Sequence, residues 1–371
     1  MPLAHPVALY LHRLSFAGGA ERMICVLANA LCERGFSVHI ITWDEPDAHS
    51  FFALDPRVVW SRLDFRPGAI DKLRRTYALA RLLYCHRIRI LVGFVMSGDK
   101  TVYAAAKLAR VPLIVAERSA PTMYHLKCGF AQRWLCFGML HLADRITVQM
   151  ADFVVGYPPT LRNRIEVIPN PVPVAERHAQ PDLAGADGRF KLLAVGRLDG
   201  AEKRYERLVG AFARIAGDQP AWDLWIVGDG SKREILRQLA ARGGVAERVH
   251  WESWRSDVSG VYTSSHLFVM PSLWEGFPNA LAEAMSHGLP AIGFRDAAGV
   301  AQLIADGETG WLADGLDNEA TLARAMLAAM ADGVERACRG ARAAKSMAAY
   351  APEAQFDRWG RLLMLTDGAV P

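Results

Sequence analysis

Several features are scarce or missing in this chain. Its six cysteines (Cys25, Cys32, Cys85, Cys128, Cys136 and Cys338) include no Cys-x2-Cys pair. That argues against a zinc site or a disulfide framework and suits a reducing compartment. No apolar stretch approaches the ~20 residues that span a bilayer, and the longest, near Trp134 to Ala143, falls far short. The start, Met1-Pro2-Leu3-Ala4-His5-Pro6, carries no charged n-region or cleavage site and runs into a strand. The sequence contains no repeat or low-complexity segment. These absences together set the expectation of a cytoplasmic protein.

With 371 residues, 51% of them apolar and 22% charged, the chain is globular and long enough for two domains. Net charge is mild at +4 but uneven: residues 1–170 hold 21 Lys/Arg against 13 Asp/Glu, and the remainder 22 against 26. A basic half joined to a slightly acidic one fits a first half that meets phosphate or anionic lipid. A chance excess of surface arginine fits equally.

Val7–Leu11 predicts a first strand, followed by a glycine-bearing loop, Phe16-Ala17-Gly18-Gly19-Ala20-Glu21-Arg22. A helix to about Leu31 and a strand at 36–41 come next, the opening of a parallel α/β sheet. Gly18 and Gly19 would let a backbone approach a diphosphate closely, or form only a turn. Residues 68–87 predict a basic helix with Lys72, Arg74, Arg75, Arg81 and Arg87 among Leu73, Tyr77, Leu82 and Leu83. An ordinary solvated face and a membrane-contact face both fit. Strands at 88–94 and 112–116 come after it. The second runs into Glu117-Arg118-Ser119-Ala120-Pro121, a polar turn at a strand's carboxyl end, where open α/β sheets place ligands. The stretch 173–188, rich in Pro, Ala, Asp and Gly without apolar period, reads as a linker.

A second strand–helix series begins at Phe190–Val195. Arg197 and Lys203 flank the loop into a helix at 204–215, where cations oppose the helix dipole unless an anion lies between them. Arg offers a rigid donor fork to phosphate and Lys a mobile point charge. Strands at 222–227, 249–254, 267–270, 291–294 and 310–313 and a last helix at 352–364 complete the pattern. The organising stretch is Pro271–Met285: an apolar strand, a tight turn through Glu275 and Gly276, and a helix with Pro278 placed for its first position. The amides of Gly276, Phe277 and Asn279 would form an anion site at that helix start. Glu283 lies roughly 7 Å further along the helix. This spacing suits a nucleotide sugar, with diphosphate at the amides, sugar hydroxyls on Glu275 and ribose hydroxyls on Glu283. A surface helix with two solvated glutamates is the plain alternative.

The run Trp274-Glu275-Gly276-Phe277-Pro278-Asn279-Ala280, then Glu283-Ala284-Met285, resembles the Glu-x7-Glu motif of retaining glycosyltransferases of family 4. The resemblance extends from Gly18-Gly19-Ala20-Glu21-Arg22 through Arg164–Val172 and Gly196-Arg197-Leu198 with Lys203 to Gly307-Glu308-Thr309-Gly310. It implies the GT-B fold: two Rossmann-like parallel-sheet domains facing a cleft, with the C-terminal helix crossing back to the first. The expected domains are 1–175 on the acceptor side, 189–350 for the nucleotide sugar, and 351–371 as the returning helix.

By the same resemblance, Glu275, Arg197 and Lys203 are catalytic. Gly18, Gly19, Gly228, Ser253, Gly276, Phe277, Pro278, Asn279 and Glu283 bind the donor, and Glu117 and Arg118 lie on the acceptor side. The Glu117 turn is similar to one in members that extend lipid-linked oligosaccharides, with Ala116 and Ser119 in place of the usual Ser and Asn. Arg204 replaces a common Gly. Ser253, between Trp251 and Trp254, stands where an aliphatic-Gly turn usually reads the base. The implied reaction moves a hexose or N-acetylhexosamine from a UDP-sugar, with retention, to a glycan or polyprenyl-diphosphate-linked glycan. It needs no cofactor, and no metal, since no Asp-x-Asp pair stands at a strand end. No nucleic acid is implied, and the first domain would touch the inner face of the cell membrane. A nucleotide-sugar epimerase or hydrolase, or a non-catalytic nucleotide-sugar-binding subunit, are the alternatives.

Overall fold

A computed structural model of the chain describes residues 5–16, 18–65, 70–94, 99–254 and 257–368. It divides into two compact units, residues 1–171 with 352–371, and residues 172–351.

The first unit holds a parallel sheet of β1 (Pro6–Tyr10), β2 (Ser37–Thr42), β3 (Val59–Arg62), β4 (Ile90–Gly93), β5 (Leu113–Ala116), β6 (Arg145–Val148) and β7 (Ile165–Val167). Their spatial order is β3-β2-β1-β4-β5-β6-β7 among the described residues. The central strands are continuous apolar runs because helices cover both faces of a parallel sheet; β1, β4 and β5 are buried almost throughout. β3, Val-Trp-Ser-Arg, lies at the edge and is half exposed. Its weak apolar signal is why the sequence pattern alone passes over it. Chain order reverses across β1, so β1 and β4 border a topological switch point, where such sheets bind ligands beyond the strand carboxyl ends.

The last helix, Pro352–Thr366, packs into this unit, burying Phe356, Trp359, Leu362 and Leu363 with Ile24, Leu27 and Leu31 of the helix Gly19–Glu33. Arg34 forks onto Glu353 and Asp357 at 2.7 and 3.0 Å, and Asp367 takes His5 and Arg89. Largely exposed ion pairs contribute about 0–1 kcal/mol each, whereas each buried large apolar side chain contributes about 1.5–3 kcal/mol. Apolar packing therefore holds the helix, and the ion pairs set its register.

The second unit repeats the design with β8 (Phe190–Val195), β9 (Trp222–Val227), β10 (Val249–Glu252), β11 (Leu267–Val269), β12 (Ala291–Phe294) and β13 (Gly310–Ala313). The order is β10-β9-β8-β11-β12-β13, all parallel, with the switch point between β8 and β11. Residues 173–188, read from composition as a linker, belong to this unit. Ser286 donates to the Pro173 carbonyl at 2.7 Å, Ala179 N–H to His287 O at 2.7 Å, and buried Arg336 to Pro181 O at 3.0 Å. Proline and glycine exclude a regular element there, but they do not exclude packing of an irregular one.

Candidate active site

Two loops meet at the second switch point. The loop leaving β8 carries Arg197 and Lys203; the loop leaving β11 carries Ser272 and Glu275. Because β8 and β11 are hydrogen-bonded neighbours, residues 72 apart in sequence come together. Lys203 Nζ donates to Glu275 Oε1 at 2.7 Å, with side chains only 18% and 14% exposed. The Ser272 hydroxyl, itself buried, donates to the same oxygen at 2.6 Å. One glutamate oxygen is thus doubly engaged, and Oε2 has no partner among the described residues. Leu273 N–H donates to Glu202 O at 2.8 Å, binding the two loops through their backbones as well.

Glu275 is also fixed from behind. Its N–H donates to Ala298 O at 2.8 Å, and Gly299 stands with φ +84° so close that a Cβ there would lie 2.3 Å from the Glu275 carbonyl. Only glycine meets both conditions.

Pro278 is not the first helical residue. It occupies the N-cap of the helix Asn279–Ser286, and Asn279 N–H turns back to Phe277 O at 2.9 Å. That contact occupies the Asn279 amide expected at the anion site. The amides of Gly276 and Phe277 donate to nothing among the described residues, and both residues are buried. They stand ahead of the helix's positive end, so of the three amides expected at the anion site the structure leaves two, those of Gly276 and Phe277, without an acceptor among the described residues. Arg197 is exposed and forms no ion pair among the described residues. Asp199, two residues on, is held below its usual range by Ser231, which donates its hydroxyl and N–H, each at 2.6 Å.

Arg204 stands with φ +49° as the N-cap of the helix Tyr205–Ile215, a left-handed conformation that explains why glycine is common there. In this chain Asp317 holds the Arg204 guanidinium at 2.8 Å, offsetting part of that cost. Glu283 lies on the helix after Glu275 and accepts from the buried Tyr262 hydroxyl at 3.1 Å. Gly228 has a packing role: a Cβ would fall 2.0 Å from Gly196 O. Ser253 is exposed at the exit of β10 and accepts from Arg233 at 3.1 Å; Asp229 ties that loop down through Arg233 and Trp254 N–H, both at 2.8 Å. The structure therefore brings Lys203, Ser272 and Glu275 together, with Gly276 and Phe277 following Glu275 in the chain, while Arg197 is exposed on the loop that carries Lys203. Glu283, Gly228 and Ser253 hold the surrounding loops and helix.

Gly18 and Gly19 belong to the first unit. Gly18 caps the helix Gly19–Glu33, with the Glu21 carboxylate lying over it. Glu117 is buried and accepts from the Tyr124 and Tyr157 hydroxyls at 2.5 and 3.2 Å, so it is an interior group of this unit. Arg118 is partly buried against Asn170.

Four candidate residues were not legible in the sequence. Ser272 could have been suspected only from its place three residues before Glu275. Tyr205 is buried, and burial and then the Glu275 charge suppress its acidity. His12 and Asp99, after β1 and β4, meet at 2.8 Å, and the His12 ring stacks on Trp43 at 4.0 Å. No local pattern marks that pair.

Known proteins resemble this chain in sequence and in fold. Residues 17–176 match a "Glycosyltransferase Family 4" model, and residues 189–332 a "Glycosyl transferases group 1" model. An uncharacterized glycosyltransferase of Haemophilus influenzae is 27% identical over 320 residues, 83% of this chain and 86% of that protein. A Campylobacter jejuni α-1,4-N-acetyl-D-galactosaminyltransferase, whose name gives a diNAcBac-PP-undecaprenol-linked glycan, is 26% identical over 319 residues, 83% of this chain and 84% of that one. Among solved structures, sucrose-phosphate synthase from Thermosynechococcus elongatus superposes with a TM-score of 0.80 at 20% identity, covering 99% of this chain and 100% of that one. Anabaena HepE in complex with UDP-glucose gives 0.78 at 16% identity, covering 96% and 99%. These structures share the fold, and the paired family matches span both units. The chain is a glycosyltransferase of family 4, built on the two Rossmann-like units of the GT-B fold.

Proposed function

We propose that the chain transfers a hexose or N-acetylhexosamine from a UDP-sugar, with retention of anomeric configuration, to a glycan or polyprenyl-diphosphate-linked glycan. The carrying observation is the shielded Lys203–Glu275 pair, followed in the chain by the amides of Gly276 and Phe277, which have no acceptor among the described residues. As the glycosidic bond to the diphosphate breaks, negative charge grows on the leaving oxygens. On this reading Lys203, Arg197 and the two amides take it, the electrostatic contribution that usually dominates such sites. Lys203 has two further N–H donors beyond the one given to Glu275. Glu275, fixed by Lys203 and Ser272 through one oxygen, orients the sugar with the other, and Glu283 takes the ribose. With one Glu275 oxygen engaged twice, a same-face displacement is favoured over a covalent glycosyl–enzyme. In that course the acceptor hydroxyl attacks the anomeric carbon while its proton passes to the departing phosphate oxygen.

The cations at this site do the work a divalent ion performs elsewhere, so we propose that no metal is required. The named relative and HepE support a lipid-linked acceptor and a UDP donor. The test compares product from UDP-sugar alone with product from UDP-sugar plus lipid-linked glycan. Hydrolysis or epimerisation without acceptor would make the chain another kind of enzyme, and donor binding without any product would make it a binding subunit.

We also propose that the first unit meets an anionic membrane surface. No helix among the described residues is long and apolar enough to cross one. The helices Ile70–Cys85, Lys100–Ala109 and Phe130–Leu140 connect strands in the same direction across the sheet, and right-handed crossovers place them on one face. That face exposes Leu73, Tyr77, Tyr84, Leu108, Phe130 and Trp134 alongside Arg74 and Arg81. No Asp or Glu occurs between Arg118 and Ala143. Exposed aromatics among cations suit an interfacial layer better than open water. Arg75, expected on this face, is buried with its guanidinium 4.2 Å from the Trp43 ring. Residues 68–69 of the expected helix lie outside the described residues.

A further inference from the structure

Three adjacent strands of the first sheet end in polar side chains that converge. Arg118 follows β5, Gln149 follows β6 and Asn170 follows β7. Arg118 Nη2 and Gln149 Nε2 both donate to Asn170 Oδ1, the second at 3.2 Å, and the guanidinium lies 5.2 Å from the centre of the Phe94 ring. Its neighbours are therefore a neutral amide and an aromatic face. Arg118 is partly buried, and burial pushes it down to about 10, with no charged group among the described residues opposing that shift.

Three other guanidiniums are treated differently. Arg189 and Arg248 share Asp223, and Arg336 is held by the carbonyls of Pro181, Ala329 and Met330 with Asp332 and Asp182 nearby. A desolvated cation left without a counter-charge costs stability, so such groups are normally paired. Beside Arg118 stands a second uncompensated atom: Gln149 Oε1 is buried and has no donor among the described residues. An anion would satisfy the first group and an O–H or N–H donor the second. A phosphorylated sugar carries both on adjacent atoms.

We infer that Arg118 and Gln149 form an acceptor-recognition site for a phosphate-bearing sugar, with Arg118 on a phosphate oxygen and Gln149 Oε1 on a hydroxyl or amide N–H. This deepens the reading of the chain as a transferase to phosphate-linked glycans and rests on it. Asn170 orients both side chains, and Phe94 supports the planar fork. Lysine could supply the charge at position 118 but not the fork. The phosphate could come from a lipid diphosphate or from a soluble sugar phosphate, and both sources present the same oxygens.

The test is calorimetric titration of the full chain under saturating UDP, which occupies the donor cations. N-acetylglucosamine 1-phosphate and geranylgeranyl diphosphate are the phosphate-bearing probes, and N-acetylglucosamine is the neutral control. Titration of UDP itself reports on the donor reading separately, so failure of one is not mistaken for failure of the other. Wild type is expected to bind a phosphate-bearing probe at least about tenfold more tightly than the neutral sugar. Preference for the sugar phosphate places the sugar beside Gln149, and preference for the prenyl diphosphate places the lipid linkage there. Arg118→Met is expected to remove that preference, leave UDP binding unchanged, and hold or raise Tm, because a partly buried cation without a counter-charge has gone. Arg118→Lys is expected to bind severalfold more weakly with its fold intact. The proposal is overturned if phosphate adds nothing to wild-type binding or if Arg118→Met binds as wild type. If Arg118→Met does not fold, undiminished binding by Arg118→Lys overturns it instead.

Discussion

The two units place the same kind of pair at the same topological point. In each, a basic side chain after the first strand meets a carboxylate after the fourth strand in chain order. His12 and Asp99 stand 2.8 Å apart beyond β1 and β4; Lys203 and Glu275 stand 2.7 Å apart beyond β8 and β11. The surroundings differ. Asp99 also caps the helix Lys100–Ala109 by accepting from Thr101 N–H, so its charge is engaged by its own fold. Glu275 stands ahead of its helix, and the amides of Gly276 and Phe277 beside it remain unspent among the described residues. Strand order decides where chemistry can be built, and the loop decides whether the donors there serve the fold or a ligand.

Breaking the second pair should have the largest effect. Glu275→Gln keeps the shape and removes the charge, and turnover should fall by at least about a hundredfold with the fold retained. Glu283→Gln should chiefly raise KM for the donor. Near-normal turnover in Glu275→Gln would move the chemistry elsewhere, and His12→Asn would then report on the first switch point.

The second prediction sharpens the contrast between a basic and an acidic unit. The protein should sediment with anionic liposomes at low salt and release as salt rises, since each cation near such a surface contributes about 1 kcal/mol within a Debye length. Glu at Arg74 and Arg81, with Trp134→Ser, should weaken that binding and transfer to lipid-linked acceptor while sparing UDP-sugar binding. Indifference of the wild type to such liposomes would favour a soluble acceptor.

Breaking the first pair should act mainly on stability. Asp99→Ala removes a helix cap and should cost about 0.5–2 kcal/mol, read as a shift in denaturant midpoint. Burial raises the Asp99 carboxyl, but the His12 hydrogen bond and charge and the Thr101 N–H outweigh it and hold it below its ordinary value. A depressed carboxyl contributes stability that is present above the unfolded value, near 3.9, and is lost as pH falls through the folded one. Wild type should therefore lose more stability than Asp99→Asn on acidification below about pH 4. Equal acid sensitivity in the two proteins would show that the pair contributes nothing.

The smallest effect is expected from chelation. EDTA should leave turnover unchanged, because Arg197 and Lys203 supply the charge a metal would bring. Loss of activity restored by Mn²⁺ or Mg²⁺ would overturn that account of the diphosphate site.

Much of this protein was legible without its structure. Continuous apolar runs bounded by glycine mark the buried parallel strands, and the second half's site is compact in sequence, with strand, turn and helix contiguous over residues 271–285. Periodicity and turn chemistry are local properties, so the sequence by itself determined the α/β class, the two repeated series and the candidates Glu275, Arg197 and Lys203. Side-chain partners are set by which strands lie side by side, and that is a property of sheet order. Only the tertiary structure decided that Lys203 grips Glu275, that Arg75 turns inward onto Trp43, that Glu117 is an interior group, and that His12 finds Asp99. The partial burial of Arg118 without an opposing carboxylate among the described residues is of the same kind, because desolvation and distance to a counter-charge exist only once the chain has closed around it.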